Sequence, residues 1–283
     1  MRTLIYTSIY SNLWGTEFGG RDSRKLHYRH SLKNILNLSA DKFVCFVAFE
    51  EYDELCKLFY DDWKISREDL EFVVFSLNQT KHSDKIKKLK NVHFMKTFDR
   101  CYEIQYNKFF WYDLLENKNY YDRIYWFDAG LSHEGLFPQK FSVGTNYERY
   151  FTFNLFNWDF LSYLNSKSND KFILIGKNNQ SNFFWSQTIP SKYYKKYDNK
   201  IHVVGGFFGG KPEVFERVKF LFEEKLLQLL NNENELYMEE QILSCIFFNE
   251  TENFELLFFD DWYQRENHHD NDKIKYFYNL FEI

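Results

Sequence analysis

Three short stretches of the chain carry residues whose types and spacing could do chemistry. In the first, YDRIYWFDAGL from Tyr121 to Leu131, an apolar run from Ile124 to Phe127 stops at a carboxylate, Asp128, followed by the small residues Ala129 and Gly130. A run so rich in aromatic and β-branched residues reads as a buried central strand. An acid at the carboxyl end of such a strand lies on the rim where open α/β sheets hold ligands, and small residues beyond it let a ligand approach the backbone closely. A carboxylate in that place can share a hard cation such as Mg²⁺ or Mn²⁺ with phosphate oxygens, or simply cap the next turn. His133 and Glu134 follow closely enough to supply a further ligand.

The second stretch is HVVGGFFGG, His202–Gly210, with Gly205, Gly206, Gly209 and Gly210 in six positions. The whole chain has only 11 Gly, so this clustering implies close backbone approach, positive φ, or a bulge before a helix. A phosphate-binding P-loop does not fit, because no Gly-Lys-Ser/Thr follows. The third stretch is ELYMEEQILS, Glu235–Ser244, in which Glu239, Glu240 and Gln241 open a helix backed by Ile242, Leu243 and Ile246. Acids at a helix amino end are favourable on electrostatic grounds alone; they also suit base work on a hydroxyl. About 100° of rotation separates neighbouring residues, so Glu239 and Glu240 are not expected to face one pocket equally.

The elements that must position these residues follow from hydrophobic period. Strands are predicted at Thr3–Ile9, Lys42–Phe49, Leu70–Leu77, Arg123–Phe127, Phe172–Gly176, Ile201–Phe208 and Glu255–Phe259. Helices are predicted at Ser23–Leu38, Tyr52–Phe59, Glu103–Leu115, Phe151–Leu164, Pro212–Leu230 and Glu235–Phe248. The segment from Gly176 to Lys200 reads as polar and mobile, and Asp260–Asp272 as a loop. Strands alternating with helices imply a parallel sheet covered on its faces. No repeat and no Pro/Ser linker divides the 283 residues, so one domain is expected.

Composition narrows the function classes. Charged residues are 27% and hydrophobic residues 44%, which suits a folded globule. A net charge of -5 argues against a general nucleic-acid binder. Aromatics reach 22%, which fits either a sugar-stacking surface or the drift of an A/T-rich coding sequence. Cys45, Cys56, Cys101 and Cys245 show no metal-ligand spacing and read as free thiols of a reducing, cytoplasmic compartment. No run of 18 apolar residues and no signal-peptide pattern is present, so no membrane span is expected, which leaves room for peripheral membrane contact. Oligomeric state is not legible.

The three stretches, in this order and spacing, resemble the nucleotide-sugar glycosyltransferases of the GT-A type over roughly residues 1–265. A looser likeness is to the HtrL/YibB family of bacterial proteins associated with lipopolysaccharide-core gene clusters, which also carry an Arg-bearing loop after the first strand and an aromatic-Asp-x-Gly strand end. The resemblance implies a Rossmann-type mixed, mostly parallel sheet with a nucleotide-binding half (1–130) and an acceptor half (131–283). It implies a nucleoside-diphosphate sugar as donor, a glycan or lipid-linked glycan hydroxyl as acceptor, and a divalent cation, Mn²⁺ or Mg²⁺. Thr7, Tyr10 and Arg21, around the glycine-rich loop TEFGGRDSR, would then hold the nucleotide. Lys108 of EIQYNKFFW would face it, and Asp128, Gly130, Gly205 and Gly206 would line the donor site. Asp128 and His268 (with His269 beside it in QRENHHDND) would bind the metal. Glu240, then Glu239, would be the acceptor-side acid. The family's second metal acid is replaced by Gly130. Two other readings stay open: a non-catalytic nucleotide- or carbohydrate-binding protein, and a sugar-phosphate nucleotidyltransferase, whose glycine-rich loop is partly echoed by FGGRDSRK.

Overall fold

The computed structural model describes residues 1–11, 28–29, 31–33, 35–36, 38–89, 100–129, 158–178, 189–196, 201–233 and 235–258. Within them, β1 (Thr3–Ile9), β2 (Lys42–Val47), β3 (Leu70–Val74), β4 (Arg123–Phe127), β5 (Phe172–Asn178), β6 (Ile201–Gly210) and β7 (Phe254–Phe258) form one sheet. Its order is β3-β2-β1-β4-β6-β5-β7. β1 to β4 pair in parallel, as do β5 and β7, while β6 runs antiparallel to both its neighbours. The sheet is therefore mixed and mostly parallel, the architecture the resemblance implies.

The central strands are apolar on both sides because both sides are covered. Along β1, Leu4 and Tyr6 enter one cluster of the core, and Ile5 and Ile9 the other. The first cluster lies under α3 (Cys101–Phe110), α5 (Pro212–Asn232) and α6 (Glu239–Asn249), through Phe109, Phe222 and Leu243 among others. The second lies under α1 (Phe49–Cys56) and α4 (Trp158–Ser168), through Leu55, Leu161 and Leu164. A short helix, α2 (Ser83–Lys88), has no clear apolar period and was not foreseen.

Among the described residues the aromatic side chains go largely into this core. Phe109 is sandwiched between Phe208 and Phe222, at centroid distances of 4.7 and 4.1 Å. Trp111 stacks on Phe46 at 5.1 Å and on Trp126 at 5.9 Å. Rings packed face to face in this way hold the helices on the sheet and present no sugar-stacking face.

Strand and helix ends shift where local bonds intervene. β2 stops at Val47 because Ala48, in extended conformation, starts α1 at Phe49, three residues earlier than the hydrophobic period suggests. The helix then widens into a π turn over Lys57–Asp62. β3 stops at Val74 because Ser76 and Gln79 form a reciprocal capping box on the 3₁₀ turn Leu77–Gln79. α6 begins at Glu239, not Glu235. The preceding residues are held extended, with Tyr106 Oη donating to Tyr237 O at 2.6 Å and Met238 N donating to Gln241 Oε1 at 2.7 Å.

Candidate active site at the end of the central strand

β4 ends at Phe127, and the next residue, Asp128, is anchored by its own backbone, its N–H donating to Gly206 O at 2.8 Å. The anchor exists because β6 passes antiparallel beside β4, with Phe207 opposite Phe127 and Phe208 opposite Trp126. On its other edge β6 breaks register. Leu174 faces Phe208 but Ile175 faces Val204, so Gly205, Gly206 and Phe207 bulge out of the pairing with β5. The glycine pair is thus both a bulge and a wall of the Asp128 corner.

Gly205 has to be glycine for a specific reason. A Cβ there would sit 2.5 Å from Glu239 Oε1 and 3.3 Å from Glu240 Cγ. The start of α6 lies directly on this backbone. Gly205 N donates to Glu240 Oε1 at 2.8 Å, and Gly205 O accepts from Lys108 Nζ at 3.2 Å. The two acids, expected to diverge around the helix, meet on the same glycine. They do so because the bulge pushes its backbone toward the first turn of α6.

Lys108, on α3, closes the arrangement. Its ammonium donates to Glu239 Oε1 in a very short bond and lies 3.5 Å from Asp128 Oδ2. The side chains of Lys108 and Glu239 are 7% and 2% exposed, while that of Asp128 is 32% exposed, so of these three the aspartate is the one that reaches the surface. α3 is fixed in place by Tyr6 Oη, which donates to Lys108 O at 2.5 Å, and by Gln105 Oε1, which accepts from Glu239 N at 3.4 Å. Gln105 was not singled out in the sequence. Its one signal was its place three residues before Lys108, on the same helical face.

Charge governs the protonation states. Burial alone would push the Lys108 ammonium down, but Glu239 and Asp128 outweigh it and hold it above the ordinary lysine range. Burial raises the Glu239 carboxyl to about 7; Lys108 opposes this shift, and the neighbouring Glu240 and Asp128 add to it. Glu239 Oε2 is buried with no hydrogen-bond partner among the described residues.

The other sequence candidates lie elsewhere. Tyr10 gives its hydroxyl to Phe75 O at 2.8 Å and stacks on Trp111 at 5.7 Å, and burial drives its phenol well up. Thr7 lies two residues from both Ile5 and Ile9, on the same face of β1, so its side chain faces the second core cluster, away from the cluster under α3. Arg21, Gly130, His133, Glu134, His268 and His269 lie outside the described residues. On the same rim the structure adds two polar pairs that sequence reasoning missed. Ser11 Oγ donates to the fully buried Glu51 of α1 in a very short bond. Arg100, in left-handed conformation just before α3, donates through Nε to Glu103 Oε1 at 3.0 Å. Glu51 had a faint signal as an acid in the first turn of a helix that follows a strand.

At this corner the acids meet an ammonium. Among the described residues no group of three or more His, Cys, Asp or Glu is arranged to hold one. Asp128 and Glu239 instead converge on Lys108, and Glu240 bonds the Gly205 amide. Among the same residues, no helix is long and apolar enough to cross a membrane.

No family model and no curated protein matches this chain. Similar solved structures include mouse xyloside xylosyltransferase 1 in its apo form, with 9% identity and a TM-score of 0.49 over 99% of this chain and 93% of that one. They also include the galactosyltransferase LgtC in complex with donor and acceptor sugar analogs, with 8% identity and a TM-score of 0.48 over 90% of this chain and 73% of that one. A third is 4-diphosphocytidyl-2C-methyl-D-erythritol synthase from Anaerococcus prevotii, with 12% identity and a TM-score of 0.44 over 100% and 96%. All three TM-scores lie below 0.5, and none of these likenesses bears on the chemistry of the site.

Proposed function

We propose that the protein is a glycosyltransferase that moves a sugar from a nucleoside-diphosphate sugar to a hydroxyl of a glycan or lipid-linked glycan, in surface polysaccharide synthesis of the kind suggested by the HtrL/YibB likeness. The observation that supports this best is the corner at the end of β4. There a partly exposed carboxylate, Asp128, is pinned by its backbone to Gly206 and backed by a buried Lys108–Glu239 pair. In this reading residues 1–130 hold the nucleotide and residues 131–283 the acceptor.

In the transfer, the acceptor oxygen bonds to the anomeric carbon as the bond from that carbon to the diphosphate oxygen breaks. The acceptor proton passes to a base if the reaction inverts configuration. Of the two acids on α6, Glu240 suits that role better. It is only half-buried, whereas Glu239 is closed off and committed to Lys108. A base in reach of the acceptor hydroxyl contributes about a hundredfold to ten-thousandfold in rate.

The experiment is a thermal-shift screen of UDP, GDP, CDP and their sugars, since a bound nucleotide stabilises the fold by mass action. It is followed by a turnover assay with the best donor. Absence of any nucleotide-dependent shift, together with no hydrolysis of any nucleotide sugar, would overturn the reading. Release of pyrophosphate from a nucleoside triphosphate and a sugar phosphate would replace it with nucleotidyl transfer.

A further inference from the structure

Lys108 stands in an oxygen cage. Its Nζ is bonded to Glu239 Oε1 and lies 3.2 Å from Gly205 O and 3.5 Å from Asp128 Oδ2. Glu240 adds its field from the next position on α6. Two carboxylates and a backbone carbonyl around one point are the ligands a hard divalent ion prefers. A lysine ammonium meets them as a compact charge with three donors. The cage also holds one oxygen more than the lysine uses, because Glu239 Oε2 is buried and unpartnered among the described residues. The glycine at 205 is what lets the carboxylate of Glu239 reach this position, since any side chain there would occupy the space of Oε1.

We propose that Lys108 is the resident cation of this site. Its ammonium fills the cage formed by Asp128, Glu239 and the Gly205 carbonyl, and a divalent metal ion enters there only when the lysine is removed. Lys108 is then a positioning residue. It neutralises Glu239, keeps the start of α6 against the β6 bulge, and leaves Asp128 as the open edge of the cluster. The inference concerns the same site as the proposed function but needs no donor for its test. Under that reading, its consequence is that transfer persists in excess chelator.

The test uses the full chain with Mn²⁺ alone as probe. Unfolding temperatures are measured in chelator and in millimolar Mn²⁺ for the wild type, Lys108→Gln and Lys108→Arg. The expected result is an unchanged midpoint for the wild type and for Lys108→Arg. Lys108→Gln should be lowered in chelator and raised by several degrees by Mn²⁺, and the gain should vanish when Asp128→Asn is added. A gain for the wild type equal to that for Lys108→Gln would overturn the proposal, as would no gain for a folded Lys108→Gln. If Lys108→Gln does not fold, the Mn²⁺ electron paramagnetic resonance signal decides on the wild type. Mn²⁺ held by the wild type and released by Asp128→Asn would overturn the proposal, and a free-ion signal unaffected by Asp128→Asn supports it. A protein inert toward every nucleotide sugar but showing the expected metal pattern would defeat the functional reading and leave this one standing. Transfer that strictly needs Mn²⁺ would do the reverse.

Discussion

At the carboxyl end of β1, Tyr10 spends its hydroxyl on Phe75 O and lays its ring on Trp111. At the carboxyl end of β4, one strand away, Asp128 is anchored by its backbone on Gly206, and its side chain, about a third exposed, lies 3.5 Å from the Lys108 ammonium. The first rim belongs to strands that all run parallel, β3-β2-β1-β4, in regular register. The second lies at the seam where β6 enters antiparallel and bulges. There the backbone geometry leaves a glycine corner that side chains from two helices can enter. Charged groups gather at the seam because irregular backbone makes room for them. Burial there is offset where Lys108 and the acids of α6 arrive together.

The comparison is broken most directly at Lys108. Its loss leaves Glu239, 2% exposed, without its counter-charge. Removing one partner of a buried pair costs about 3–5 kcal/mol, so Lys108→Met is expected to be strongly destabilised in urea unfolding at pH 8. The pH dependence carries a sign. The Glu239 carboxyl is raised in the folded protein, from 4.5 to about 7. Its favourable contribution is therefore complete below pH 4.5 and is lost as pH rises through about 7. Without Lys108 the carboxyl rises further, so the gap between wild type and Lys108→Met should be wider at pH 8 than at pH 5. An equal gap at both pH values would show that the carboxylate does not carry the cost.

Asp128→Asn comes next and should separate chemistry from stability. The side chain is about a third exposed and its lysine contact is long, so the melting point should move little. Under the proposed function, turnover should fall by about a hundredfold or more, the scale of losing one group that stabilises developing charge. Near-normal turnover in a folded variant would move the chemistry away from the seam.

Gly205→Ala probes the seam through its backbone. The added methyl would lie 2.5 Å from Glu239 Oε1. Overpacking of this kind costs about 1–3 kcal/mol, and here it should also pull Glu239 from Lys108. Mapped by amide exchange, the loosening is expected at the first turn of α6 and at the end of α3. Uniform loosening of the sheet would mean that the glycine serves only the bulge.

Much of this arrangement was legible in the sequence. β1 and β4 fall where the sequence pattern places them, because a strand buried on both faces is rich in apolar residues on both. Asp128, Glu239 and Glu240 were each legible as candidates by residue type at an element's end, and Lys108 through the family resemblance. Their mutual contacts were not. The pairing of Lys108 with Glu239 depends on the antiparallel turn of β6 and on a three-residue slip against β5, and no local pattern encodes a strand's direction. Helix starts were misplaced for a related reason. α1 begins earlier than its period because Ala48 is extended, and α6 begins later because Tyr106 and Gln241 hold residues 237 and 238 outside the helix. These bonds come from side chains, one of them distant in sequence.

Tyr10→Phe is the gentlest test and bears on the other side of the comparison. The hydroxyl makes a 2.8 Å bond to Phe75 O, and the residue is 6% exposed. Phenylalanine keeps the stack on Trp111 and removes only the donor. A typical intramolecular hydrogen bond contributes about 0.5–1.5 kcal/mol, and a buried carbonyl left without its donor places the effect at the upper part of that span. The melting point should fall slightly, and any change in nucleotide affinity should be no larger than the loss of fold stability explains. If instead the melting point holds and nucleotide affinity drops tenfold, the hydroxyl must leave Phe75 to meet a ligand. The parallel rim would then share the binding work that its hydrogen bonds assign to the core.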